Sequence, residues 1–185
     1  IQSNGTPYPG WPANGIPLTP TPGDHQSYPR VAGDGYGGAL ISWAEEDPVY
    51  GDDDVYVLRI TGSGTPASGW PAGGADVGYA VGHQGDARVI ADGTGGAIVA
   101  WWDHRSSPVR SLYAGRVSSG GARLWAAGGE WVASEVRGLS YEPPAMCSDG
   151  SSGVYLAWET ERAGDNSHLY LQRLDSAGNR PTGWS

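Results

Sequence analysis

The chain has no Lys, no Phe and a single Cys, Cys147, in 185 residues. Without Lys a phosphate-binding P-loop is impossible. All eleven basic residues are Arg, and against 20 acidic residues they leave a formal net charge of -9. Such a surface is a poor match for nucleic acid or anionic lipid. A lone cysteine excludes an intrachain disulfide and a multi-cysteine metal centre. No apolar run approaches membrane-spanning length, and the segment opening at Ile1 shows no signal-peptide pattern. The sequence carries neither a G-x-S-x-G elbow nor an H-E-x-x-H helix motif, and its His number only four. No catalytic machinery and no cofactor is expected.

What the chain does have is 31 Gly, 14 Pro, 9 Trp and 10 Tyr, with only 17% charged residues. That composition suits short strands joined by tight turns and predicts an all-β protein. A stretch recurs three times: GDGYGGALISWAEED at 33–47, ADGTGGAIVAWWDHR at 91–105 and SDGSSGVYLAWETER at 148–162. Asp34, Asp92 and Asp149 are 58 and 57 apart, as are Trp43, Trp101 and Trp158; Arg59, Arg116 and Arg173 are 57 apart. A second series, Trp11, Trp70, Trp125 and Trp184, is spaced 59, 55 and 59. Periods of this size indicate a repeat architecture rather than one large core.

Each repeat divides into four predicted antiparallel strands. The first is small or β-branched (30–33, 88–91, 145–148) and ends at the Asp-Gly pair, whose chemistry is that of a tight hairpin. The second (ALISW, AIVAW, VYLAW) is apolar on both faces, so both faces are covered. The third (55–60, 112–117, 169–174) carries an aligned Tyr and Arg, and the fourth (70–77, 125–132) is punctuated by Pro and Gly, as outer edges are. These features describe β-propeller blades, with small residues nearest the axis. The pattern DGxGGAxxAWxDxR, LYxxRV and a Gly-rich turn with Trp resembles the propeller-type repeat found in tandem in many secreted bacterial proteins. The resemblance covers nearly the whole chain and implies an extracellular or cell-envelope setting.

The expected organisation is one repeat domain: an orphan outer strand in 1–23, repeats at 24–80 and 81–137, and a third at 138–185 lacking its outer strand. WPANGIPL at 11–18 copies the fourth strand ahead of the first repeat. Three blades are too few to close a propeller. Three solutions remain open: the orphan strand completes the third blade of its own chain, two chains then forming a ring; it completes the blade of a neighbouring copy; or the sequence is a window on a longer propeller chain. The residues expected to carry assembly are Trp11, Pro12, Ile16 and Leu18 on one side and Leu169, Leu171 and Trp184 on the other.

Blade-end loops supply the ligand candidates. His25, His83, Asp103 and His104 are expected at one end, with the carboxylates Glu45, Glu46, Asp47, Glu159 and Glu161 and with Arg105 and Arg162. His with carboxylates can hold a metal, but Leu139-Ser140 replaces His-Gln in the third repeat and breaks the set, so no metal is assigned. Trp102 and Trp131 stand outside the repeated positions and are expected to be exposed aromatics, suited to glycans. The Arg series resembles the arginine cluster of propeller sialidases, yet its third-strand position predicts structural ion pairs or Tyr stacking. The Asp-Gly turns read as self-capped hairpins rather than calcium loops. Cys147 aligns with Ala32 and Ile90 and is expected to be a buried small hydrophobe.

Overall fold

The computed structural model describes residues 4–6, 8–19, 25–47, 51–135, 142–161 and 166–184. These residues form eleven strands and no helix: β1 (Gln26–Gly33), β2 (Ala39–Glu46), β3 (Asp53–Ile60), β4 (Ala75–Asp76), β5 (Gln84–Ala91), β6 (Ala97–Ser106), β7 (Val109–Val117), β8 (Glu130–Glu135), β9 (Ala145–Ser148), β10 (Val154–Glu161) and β11 (Ser167–Leu174). They make three antiparallel sheets in the orders β1-β2-β3-β4, β5-β6-β7-β8 and β9-β10-β11. None of these sheets closes on itself. The boundaries expected near residues 23 and 137 fall at stretches outside the described residues.

Each sheet begins with the same hairpin, and the recurring Asp explains it. Oδ1 of Asp92 accepts the backbone N–H of Thr94 and of Gly96, both at 2.8 Å. Asp34 does the same to Tyr36 and Gly38, and Asp149 to Ser151 and Gly153, all at 2.8 Å. These backbone donors have no ladder partner inside the turn, and an Asp side chain satisfies them locally.

The middle strands bury both faces, as their continuous apolar sequence requires. On β6, Trp101 packs into a core shared with the first sheet, while its neighbour Trp102 packs into a core shared with the third. Successive side chains of a strand point to opposite faces, so β6 is a wall between two cores. The first strands meet in series: β5 packs against β1 and β9 packs against β5. The aligned Tyr stack on the aligned Trp across the ladder, with ring centroids 5.9, 6.3 and 5.9 Å apart in Trp43–Tyr56, Trp101–Tyr113 and Trp158–Tyr170.

Three expectations need correction. Residues 11–18 form no strand; Trp11 and Leu18 instead pack their side chains against the core of the first sheet. A strand exists only with a ladder partner, and among the described residues no strand pairs with this segment. The fourth strands are also shorter and shifted, because the Trp and Gly pairs of 70–74 and 125–129 form turns. Cys147 is exposed rather than buried. It lies on β9 opposite Tyr155, on the face of the third sheet turned away from the second.

Candidate functional site

The repeated Asp and Arg form one unit per sheet. Asp92 Oδ2 accepts from Arg116 Nη2 at 2.7 Å and Nε at 3.0 Å, and from Thr94 Oγ1 at 2.6 Å. Asp34 receives Arg59 Nε at 2.8 Å, and Asp149 receives Arg173 Nη2 at 2.8 Å. Burial opposes ionisation of Asp92, but the bonds from Thr94, Arg116 and Gly96 outweigh it and hold the carboxyl below its ordinary range. The same opposition resolves the same way at Asp34 and Asp149. With their carboxylates saturated, these arginines are structural ion pairs. They also reach forward: Arg59 Nη1 donates to Gly95 O at 3.2 Å and Arg116 Nη1 to Ser176 O at 2.9 Å.

A second device links consecutive sheets. Trp70 donates its indole N–H to Ser119 O at 2.8 Å, and Trp125 to Ser176 O at 3.0 Å. Trp11 does the same to Gly62 O at 3.1 Å. The three acceptors are repeat equivalents in the turn after the third strand. Two residues on, each turn has a glycine, Gly64, Gly121 or Gly178, with φ of +82°, +78° or +84°. A Cβ there would come within 3.2–3.3 Å of the tryptophan ring. Glycine is therefore demanded twice, by the left-handed backbone and by the ring lying on it.

The two ends of the array differ from its middle. Val55 and Leu112 are fully buried, whereas their equivalent Leu169 is 85% exposed. Val57 and Ala114 are fully buried, whereas Leu171 is 57% exposed. At the opposite end Val31 is 72% exposed, although its equivalent Val89 is only 3% exposed. The third sheet thus shows a bare trailing face, while on the leading face of the first sheet Val31 is bare and Ile41, Trp43 and Leu58 are buried. On β11 the outer edge has no strand partner among the described residues. Of the expected assembly residues, Ile16 and Leu18 are half-buried beside the first sheet, Pro12 is exposed, and Trp184 leans on Tyr155 at 5.7 Å.

The blade-end candidates are only partly brought together. A cleft of about 260 Å³ is lined by His83, Trp102, His104, Asp53, Asp86 and Tyr28, among others. His83 Nδ1 lies 3.3 Å from Asp53 Oδ2. Burial and the charge of Arg110 lower the pKa of His104, so it is neutral at pH 7. Tyr28 and Asp86 take φ of 51° and 50°, each inside a register shift of the first strand. Non-Gly residues rarely adopt this backbone, and no motif in the sequence announces it. His25 is exposed and does not line the cleft.

Trp102 contradicts its expected exposure. It is 2% exposed, donates Nε1–H to Glu142 O at 3.0 Å and has Arg110 over its ring at 4.4 Å. Its strand alternation turns it into the core shared with the third sheet. Trp131 is 49% exposed as expected, with the Arg180 guanidinium 4.7 Å over one face. Asp103 is fully buried, taking Trp101 Nε1 at 3.1 Å and three bonds from Arg105, one from its backbone and two from its guanidinium. Leu139, Ser140 and Arg162 lie outside the described residues.

One acidic group stands apart. Asp54 is 4% exposed, and its Oδ1 has no hydrogen-bond partner among the described residues. Burial, then the nearby Asp76 and Asp52 carboxylates, push its pKa up to about 7. Among the described residues no group of three His, Cys, Asp or Glu is arranged to hold a metal ion. No protein-family model, curated protein or solved structure matches the chain.

Proposed function

We infer that the chain is a run of β-propeller blades acting as a non-catalytic structural and interaction module, which joins further copies of itself head to tail. The observation that carries this reading is the bare apolar face of the third sheet, matched by an exposed Val31 on the leading side of the first. Leu169 and Leu171 occupy positions that a following sheet buries in the other two repeats, and Val31 occupies one that a preceding sheet buries. Burying a Leu or Val side chain is worth about 1.5–3 kcal/mol, so covering Leu169, Leu171 and Val31 together makes a cohesive joint.

The occupant follows from repeat equivalence. In the first two sheets the third strand is covered by β4 or β8, each following a Trp-initiated turn. Among the described residues, the remaining segment of that type with no strand partner is 11–18, already held on the leading face by Trp11 and Leu18. In the joint, Leu18 of one copy faces Leu169 of the next, and Ile16 faces Leu171, as Ala75 faces Val57. Trp184 repeats the position of Trp11, but the seat over Gly64 is already filled by Trp11 of the same chain as Gly64, so Trp184 stays beside Tyr155. A glycan-binding role has less support, since Trp102 offers no open ring face and one face of Trp131 lies under Arg180.

Light scattering across a concentration series tests the reading. The chain should grow from monomer to dimers or longer multimers as concentration rises. Leu169→Glu with Leu171→Glu, both on the surface, should hold it monomeric without changing its circular dichroism. A parent chain that stays monomeric to high concentration would overturn the proposal.

A further inference from the structure

A cavity on the leading side of the first sheet has counterparts elsewhere in the chain, and those counterparts are filled. It has a volume of about 740 Å³ and is bounded by Tyr8, Trp11, Gly37, Gly62 and Ser63, among others. Gly37 is the repeat equivalent of Gly95. A Cβ on Gly95 would lie 3.3 Å from Arg59 Nη1 and 3.8 Å from the Tyr36 ring, whereas one on Gly37 would meet nothing within 4 Å. Gly62 is the equivalent of Ser176, whose carbonyl accepts both Trp125 Nε1 at 3.0 Å and Arg116 Nη1 at 2.9 Å. Gly62 O accepts Trp11 Nε1 at 3.1 Å, and a carbonyl oxygen has two lone pairs. The second and third sheets thus receive a forward-reaching guanidinium from the sheet before, while the matching place on the first sheet is open.

The remaining arginine of the series is Arg173. Its Nε and Nη2 are bound to Asp149 Oδ2 at 3.1 and 2.8 Å, and its Nη1 has no partner among the described residues. Its side chain is 29% exposed, against 17% for Arg59 and 10% for Arg116. Resting on the head-to-tail reading, we propose that this cavity is the seat for Arg173 of a second copy, with Nη1 donating to the carbonyl of Gly37 or Gly62. The guanidinium arrives already neutralised by Asp149, which limits the cost of removing it from water. The bond it makes is charge-assisted and directional, so it fixes which sheet follows which, where the apolar faces alone would tolerate sliding.

The test pairs two chains that cannot polymerise. A donor carrying Val31→Glu keeps its trailing face, and an acceptor carrying Leu169→Glu and Leu171→Glu keeps its leading face with ¹⁵N-labelled indoles. Titrating donor into acceptor should shift the Trp11 Nε1–H resonance, assigned by its loss in Trp11→Phe. Adding Arg173→Gln to the donor should weaken binding at least tenfold. Because that change also strips Asp149, the acceptor variant Ser63→Trp, which fills the cavity without touching Asp149, should weaken binding to a similar degree. If both variants bind as tightly as their parents, the arginine seat is wrong while head-to-tail joining stands. If the acceptor binds no donor at all, the joining itself is wrong.

Discussion

Replacing Asp92 with Ala should be among the most damaging single changes to this fold, and the structure says by how much. Asp92 is fully buried and accepts from the Thr94 and Gly96 backbone, from Thr94 Oγ1 and from two nitrogens of Arg116. Removing it leaves Arg116, whose side chain is 10% exposed, as a charge without its counter-ion. Breaking a buried ion pair from one side costs about 3–5 kcal/mol, and the stranded Gly96 N–H adds a desolvation term of roughly 1 kcal/mol or more. That is a large share of the 5–15 kcal/mol typical of a domain. Asp149→Ala makes the matched comparison, because its partner Arg173 is 29% exposed and water can take over part of the lost bonding. Its cost should be about 1–2 kcal/mol. Urea unfolding followed by tryptophan fluorescence would measure both. A loss below about 1 kcal/mol for Asp92→Ala, or equal losses for the two variants, would refute the argument from burial.

The tryptophan-on-glycine contact predicts a graded pair. Gly121→Ala meets Pro71 at 3.1 Å and the Trp70 ring at 3.3 Å at φ +78°, while Gly93→Ala at φ +81° enters open space. The first should lose about 2–3 kcal/mol and the second about 1 kcal/mol in urea unfolding. Asp54 predicts a pH profile. Its folded pKa of about 7 lies above the unfolded value of 3.8, so the folded state holds the extra proton. Its stabilisation is complete below about pH 4 and is lost as pH rises through 7. Asp54→Asn should therefore gain roughly 2–4 kcal/mol over the parent at pH 8 and nothing at pH 4. Thermal melts of the two proteins across that range would show it, and parallel profiles would contradict it.

Much of this architecture is written in the chain because a repeat states its rule three times. The spacing of Asp92 and Arg116 recurs in each copy, and the hairpin caps and ion pairs follow from it. The inward position of Trp101 was legible from an apolar strand with covered faces. Other features depend on neighbours that the repeat does not name. Trp102 occurs once, and only the alternation of β6 between two cores accounts for its burial. Cys147 and Leu169 have apolar equivalents in each repeat, yet both are exposed here, because burial of this face of a sheet is supplied by the sheet after it. Residues 11–18 have the composition of an outer strand but no ladder partner among the described residues, so composition alone overstates them. The left-handed backbone at Tyr28 and Asp86 arises from a register shift within the first strand, for which neither residue type is a signal.

The central claim is that segment 11–18 of one copy pairs with β11 of another. In a Cys147→Ser background, Ile16→Cys and Leu171→Cys place one thiol on each side of the proposed joint, in the register seen between Ala75 and Val57. Mild oxidation at a concentration that favours association, read by non-reducing electrophoresis, should give covalent dimers and a ladder of higher multimers. The shifted pair Ile16→Cys with Leu169→Cys should give far fewer. Cross-links confined within single chains, or equal yields from the two pairs, would contradict the account.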